Sequence, residues 1–219
     1  DLPGTYGGDD FTLILQDKSF DANGGMSYEL TGEVFEDGFQ GDTLVVNGAI
    51  APVGQAVPTA LVRLRVLNAC NARFLQLSMA TGPVTVIASD GGFLAAPVEA
   101  ENILMSPGER YELLVDMAAF ESNTLNVDLD GGQGGFFSNL FGGNQTLAAL
   151  TLTRNGDAGF SGSMPSRLAN LSPPMRSEAT KTRSFELQMD VGEDLAALAL
   201  AWENVCGNAT AMAINGQPM

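Results

Sequence analysis

Apolar and polar positions alternate in short runs along most of the chain. Examples are Phe11-Thr12-Leu13-Ile14-Leu15-Gln16, Met26-Ser27-Tyr28-Glu29-Leu30 and Asp42-Thr43-Leu44-Val45-Val46-Asn47. A period of two is that of a strand with one buried and one wet face. Val62, Leu64 and Val66 share one face of such a run while Arg63 and Arg65 occupy the other, and the alternation returns at 73–79, 84–89 and 109–116. Leu125, Val127 and Leu129 interleave with Asn126, Asp128 and Asp130 in the same way. Turn formers separate the runs: Asn23-Gly24-Gly25, Asp37-Gly38, Gly82-Pro83, Asp90-Gly91-Gly92 and Ser106-Pro107-Gly108. Many short strands at this spacing predict an all-β fold, an antiparallel sandwich or barrel, over Asp9 to Arg154.

The rhythm breaks at 131–143, a Gly-rich loop carrying Phe136, Phe137 and Phe141, before a closing strand at 146–154. Exposed apolar clusters tend to mark contacts, so this loop either tucks onto its own core or meets an adjoining domain. From Asn155 to Arg183 the composition turns to Ser, Pro, Gly and Asn without a period, which is linker chemistry. Ser184 to Asp190 alternates again as a strand, and Leu195, Leu198 and Trp202 recur at helical spacing behind a capping pair, Asp190 and Glu193. The stretch 184–219 is too short to close a second sandwich and reads as an incomplete lead-in to one. Ala213-Ile214-Asn215-Gly216-Gln217-Pro218 also partly repeats Val45-Val46-Asn47-Gly48-Ala49-Ile50-Ala51-Pro52, which suggests a repeated domain start.

Composition narrows the chemistry. The 219 residues are 45% hydrophobic and 16% charged, enough to bury one substantial core or two modest ones. Ten Lys and Arg against 26 Asp and Glu give a net charge of −16, a field that repels phosphate backbones and anionic lipid headgroups. Neither a nucleic-acid nor a membrane partner is expected, and no apolar run reaches the roughly 20 residues of a membrane-spanning helix. Histidine is absent altogether, which removes the usual ligand of copper and catalytic zinc and every mechanism that uses imidazole as base. Cys70 and Cys206 form no C-x-x-C motif; each reads as a structural thiol, with a disulfide between them as the alternative.

Arg63, Arg65, Arg73 and Arg110 are four of the ten cations and lie in or beside predicted strands. They are suited to bidentate carboxylate pairing, either across strands on a wet face or onto neighbouring loops and domains. Asp42, Asp90 and Asp116 stand at strand ends, where their oxygens can accept from nearby backbone N–H groups. Glu109 with Glu112, and Asp128 with Asp130, invite a general acid/base reading, but a solvated strand face explains both pairs. Met26, Met79, Met105, Met117 and Met189 sit within or beside apolar patterns and read as core rather than copper(I) ligands. One Trp and three Tyr offer little for sugar stacking, which disfavours a carbohydrate-binding sandwich.

Five motifs in order resemble one known family. Leu15-Gln16-Asp17-Lys18-Ser19-Phe20, the stretch from Gly41 to Gly48, the stretch from Val62 to Arg73, Val86-Ile87-Ala88-Ser89-Asp90-Gly91-Gly92 and the stretch from Pro107 to Asp116 look like the central cupredoxin domain of bacterial three-domain multicopper oxidases, of the periplasmic laccase and cuprous-oxidase branch. The resemblance implies a cupredoxin-like Greek-key β-sandwich at 9–154, a linker at 155–183, and at 184–219 a strand and helix leading into a following cupredoxin domain. It also implies flanking cupredoxin domains as partners, an exported or periplasmic location, and copper in the parent protein, which would oxidise phenols or low-valent metal ions and reduce dioxygen to water. Family members bind copper through His-x-His and His-Cys-His motifs in other domains, and with no histidine this chain resembles the part without copper. No catalytic, cofactor or metal residue is therefore expected here, and the chain alone is expected to be inactive. The alternative is a copper-free cupredoxin scaffold or binding protein of the cell-division type, a relative that keeps the fold and has lost the metal.

Overall fold

The computed structural model describes residues 1–28, 34, 38–129, 146–172 and 174–184, together with the backbone strands at 187–189, 212–214 and 217–218. Thirteen strands make up the larger part: β1 (Asp10–Phe20), β2 (Met26–Ser27), β3 (Thr43–Val46), β4 (Ala49–Ile50), β5 (Val53–Val57), β6 (Leu61–Asn68), β7 (Leu75–Met79), β8 (Val84–Ser89), β9 (Gly92–Ala100), β10 (Asn102–Met105), β11 (Arg110–Asp116), β12 (Ser122–Asp128) and β13 (Thr146–Arg154). They form two sheets, β4-β3-β1-β6-β11-β8-β9, with β2 attached to the end of β1, and β10-β7-β12-β13-β5. Alternation does the sorting. Phe11, Leu13 and Leu15 of β1 and Val62, Leu64 and Val66 of β6 point inward to meet Leu77, Leu125 and Leu152 of the other sheet in one apolar core.

The sheets are mixed rather than purely antiparallel. β1 runs parallel to β6, from Asp10↔Arg63 to Leu15↔Asn68, and β13 runs parallel to β5. Parallel neighbours cannot be joined by a tight hairpin, so the chain reaches each by crossing between sheets. One crossing follows the β3–β4 hairpin, where Asn47 (φ 50°) and Gly48 (φ 83°) both adopt the left-handed region that a two-residue turn of matching twist requires. Asn47 locks that turn: its Oδ1 accepts from Ile14 N at 2.8 Å and its Nδ2 donates to Thr12 O at 2.9 Å.

The compact unit does not stop at Arg154. It comprises 1–28 and 38–171, so the first half of the expected linker belongs to it. Asn155 N donates to Val57 O, Thr59 N to Asp157 O and Leu168 N to Ala95 O, all at 2.8–2.9 Å. Gly159 (φ 64°) lies so close to Pro58 that a Cβ there would collide with it. Fixed backbone hydrogen bonds, invisible to hydrophobic periodicity, are what tie this low-period stretch down.

The second unit contains residues 172–219 and 29–37. Its described part holds a 3₁₀ turn at Arg176–Glu178 and three strands, β14 (Leu187–Met189), β15 (Met212–Ile214) and β16 (Gln217–Pro218), in the order β14-β15-β16. The echo seen in the sequence becomes a structural repeat here. In the larger unit Leu15↔Val46 and Gln16↔Val45 pair β1 with β3, and Val45↔Ile50 and Val46↔Ala49 close the hairpin. In the second unit Leu187↔Ile214 and Gln188↔Ala213 pair β14 with β15, and Ala213↔Pro218 and Ile214↔Gln217 close the hairpin. A Leu-Gln step is paired in the same antiparallel register in both, and in both sequences Asn-Gly follows the second of the paired strands. The expected helix from Leu195 to Trp202 and the phenylalanines at 136, 137 and 141 lie outside the described residues.

Candidate functional site

Sequence alternation places Arg63 and Arg65 on the outer face of β6, and sheet register supplies their partners. Asp10 of β1 stands beside Arg63, and Glu112 of β11 stands opposite Arg65. Arg65 grips Asp10 with two donors, Nε to Oδ1 at 2.8 Å and Nη2 to Oδ2 at 2.6 Å, and reaches Glu112 Oε1 at 3.2 Å. Arg63 donates from Nε to Glu112 Oε2 at 2.9 Å, pairs with the same carboxylate through Nη2, and reaches Pro3 O at 3.4 Å. Its guanidinium carbon lies 5.5 Å from the centroid of the Phe93 ring, within cation–π range. The fork onto Asp10 raises the Arg65 pKa. Two cations and two carboxylates thus balance across three strands.

This face is not the solvated one that alternation suggests. Arg63 is 8% exposed and Asp10 3%. Leu61, Ile87 and Leu114 are also buried although they stand outside the inter-sheet core. Beside this covered part the face opens into a groove of about 500 Å³, lined among others by Ile14, Arg65, Leu67, Asp90, Arg110 and Tyr111. Arg110 pairs with Asp90 at 3.0 Å in the open. A second cleft of about 360 Å³ opens near the β3–β4 hairpin onto Phe11, Leu13, Val46 and Leu150.

Arg73 behaves differently. It stands in the loop before β7 and donates from Nε to Asp17 Oδ2 at 3.0 Å, from Nη1 to Leu129 O at 3.0 Å and from Nη2 to Gly41 O at 2.9 Å. Gly41 N donates to the same Asp17 oxygen at 2.8 Å. A Cβ on Gly41 would collide with the Lys18 backbone, so the loop approaches β1 as closely as a chain can. This clamp joins β1 to the end of β12, and hence one sheet to the other. Asp10 and Asp17, which complete the two networks, were not singled out in the sequence. Asp17 carried a signal all the same, because it falls on the parity of Phe11, Leu13 and Leu15, where an acid needs a buried partner.

The remaining candidates take structural positions. Asp116 Oδ1 accepts from Ala118 N and caps a 3₁₀ turn, Asp90 Oδ1 accepts from Arg110 N, and Asp42 Oδ1 accepts from the Thr43 hydroxyl. Glu109 accepts from Ser106 N at 2.8 Å while Glu112 is taken up by the arginines, so the two serve separate tasks. Asp128 is half-buried on β12, and Asp130 lies outside the described residues. Met79, Met105 and Met117 are buried in the core, whereas Met26 is 74% exposed on the short strand β2, a correction to its reading as core. A two-residue edge strand has no inward position to offer it. Met189 lies in β14, where only the backbone is described. Cys70 is a free, buried thiol.

Copper, which the resemblance implies for a parent, does not fit these residues. The chain supplies no imidazole, and the described residues contain no group of three or more His, Cys, Asp or Glu side chains that could hold a metal ion. The Cys70 thiol is pushed up to about 12 by burial and by the neighbouring Asp17, and therefore stays protonated rather than offering a thiolate. Among the described residues no helix is long and apolar enough to cross a membrane.

Two mixed sheets packed over one core, with a parallel β1–β6 pair and a hairpin crossing, define a cupredoxin-type sandwich, and comparison with known proteins gives its lineage. Residues 9–127, more than half of the chain, match the multicopper oxidase family, and the chain belongs to that family. Over 118 residues it is 48% identical to the cell division protein FtsP of Shigella dysenteriae, an alignment covering 53% of this chain and 24% of that protein. It superposes with a TM-score of 0.81 and 32% identity on a bacterial laccase-like multicopper oxidase, CueO, from an Ochrobactrum species, covering all of this chain and 46% of that one. McoA, a multicopper oxidase of Aquifex aeolicus, gives a TM-score of 0.70 at 30% identity over 84% of this chain and 40% of its own. The chain thus spans about a quarter of the curated relative and less than half of either solved chain.

Proposed function

We propose that this chain is a copper-free structural domain of a larger multicopper-oxidase-type protein, in which it orients flanking cupredoxin domains. The observation that carries this reading is the repeat. The β14-β15-β16 arrangement reproduces the β1-β3-β4 arrangement pair for pair, which supports a second domain of the same fold opening within 184–219. The donor set supports the copper-free part, since neither the ion-paired face nor the Arg73 clamp has the imidazole and thiolate ligands of a type 1 site. On this reading copper, phenol or metal-ion oxidation and dioxygen reduction belong to the whole protein, and the location is the exported or periplasmic one of such oxidases.

One observation favours a second reading. Over 118 residues the chain is 48% identical to the cell division protein FtsP. A whole protein without copper, acting as a scaffold in division, would use this domain in the same structural way. Metal analysis and a phenol-oxidase assay on the full-length protein separate the two. Copper and oxidase activity in the whole protein, with neither in the 219-residue chain, support the oxidase parent. A metal-free, inactive whole protein supports the scaffold. Copper bound stoichiometrically by the 219-residue chain with a blue charge-transfer band overturns both.

A further inference from the structure

Among the described residues Asp17 Oδ1 is a buried carboxylate oxygen with no hydrogen-bond partner, and the Asp17 side chain is fully enclosed. The other oxygen, Oδ2, is well supplied by Gly41 N and Arg73 Nε. An orphaned oxygen at the centre of a clamp that joins the two sheets asks for a donor. Register points to one. β1 and β6 pair in parallel up to Leu15↔Asn68, and Ala69 N donating to Leu15 O at 2.8 Å carries the ladder one step further. The same offset sets Cys70 level with Asp17. Cys70 is 7% exposed and its backbone N is held by Asn68 Oδ1 at 3.0 Å, so rotation about one side-chain bond is the freedom left to its sulfur.

We propose that the Cys70 thiol is the missing donor to Asp17 Oδ1, which makes Cys70 a positioning residue of the sheet-joining clamp and excludes it from a disulfide with Cys206. The S–H group is a weak donor, but an ionised acceptor strengthens the bond, and enclosure removes competition from solvent. The thiol's pKa is raised first by burial and then by the Asp17 carboxylate beside the sulfur, and both favour the protonated form that can donate. Oxidation of Cys70 to a disulfide would remove the hydrogen and leave Asp17 Oδ1 orphaned. The clamp therefore holds this cysteine in its reduced state.

Infrared spectroscopy of the full chain carrying Cys206→Ser isolates the Cys70 S–H stretch. The expected result is one band at lower frequency than in the same chain unfolded in urea; a folded-state band at the unfolded position overturns the proposal. Substitution gives a second, independent sign. A serine hydroxyl can donate to Asp17 Oδ1 and an alanine cannot, so Cys70→Ser is expected to melt at a higher temperature than Cys70→Ala. The reverse order, or equal melting temperatures, is the outcome of a thiol that only packs, with a buried water serving Oδ1 instead. Alkylation of the purified chain under denaturing conditions without reductant should label both cysteines, and an intact-mass deficit from a Cys70–Cys206 bridge counts against the assignment.

Discussion

At the scale of single residues, Cys70 gives the molecule a pH dependence that composition alone would not suggest. Its thiol is raised from 9.0 to about 12, first by burial and then by Asp17. Between those values the unfolded chain has released a proton that the folded chain still binds, so unfolding gains driving force as the pH rises. The contribution is complete below about pH 9 and is lost as the pH climbs through about 12. Tyr111, also raised, first by burial and then by the Glu109 and Asp90 charges, acts in the same direction. It is unchanged in a Cys70→Ser variant, so its effect cancels in a comparison. Urea unfolding at about pH 8 and about pH 10.5 should therefore show the wild-type chain losing more stability than Cys70→Ser over that interval. Equal losses would mean that the thiol titrates alike in the two states.

Among elements, the ion-paired face carries unequal weights that exposure decides. Arg63 is nearly enclosed and holds Glu112, the Pro3 carbonyl and the Phe93 ring at once, whereas Arg110 pairs with Asp90 in solvent. Removing one partner of a buried pair strands the other charge, at about 3–5 kcal/mol, while an exposed pair is worth about 0–1 kcal/mol. Because Arg65 still holds both carboxylates, Arg63→Met is expected near the low end of the buried range and Arg110→Met within about 1 kcal/mol of wild type, read from urea midpoints. Similar losses in both variants would show that solvent screens the outer face throughout. Much of this element-level picture was legible in the sequence. The inward residues of β1, β6 and β12 fell where alternation put them, because one face of each strand must be dry. The outward pair Arg63 and Arg65 was legible too, but its burial was not: what covers an outer face comes from distant segments, here Pro3 and the Phe93 ring, and leaves no periodic trace. Parallel pairing was hidden for a related reason, since period two is the same whichever way the neighbour runs. The two networks were half visible, the arginines as scarce cations and Glu112 as one of a candidate pair, with Asp10 and Asp17 lost among 26 carboxylates.

For the whole molecule, the question is where the sandwich ends. Alternation stops at Arg154, but the compact unit continues to Leu171 and binds its last stretch through Asn155 N to Val57 O, Thr59 N to Asp157 O and Leu168 N to Ala95 O. A typical intramolecular hydrogen bond contributes about 0.5–1.5 kcal/mol net, so three together are worth about 2–4 kcal/mol. Domains of this size have only about 5–15 kcal/mol in all. Loss of the stretch should thus weaken the fold visibly without abolishing it. A chain cut after Leu171 is expected to unfold in one cooperative urea transition followed by far-ultraviolet circular dichroism. A chain cut after Arg154 should unfold cooperatively too, with a free energy lower by about 2–4 kcal/mol. Removing 155–171 also takes away Gly159, which lies against Pro58 in the loop that feeds β6, the strand carrying Arg63 and Arg65. The shorter chain should therefore exchange its β6 amides faster than the longer one, beyond the general loss of stability. Identical midpoints for the two truncations would place the end of the sandwich at Arg154, where the hydrophobic pattern alone puts it, and would make 155–171 the linker that its composition suggests.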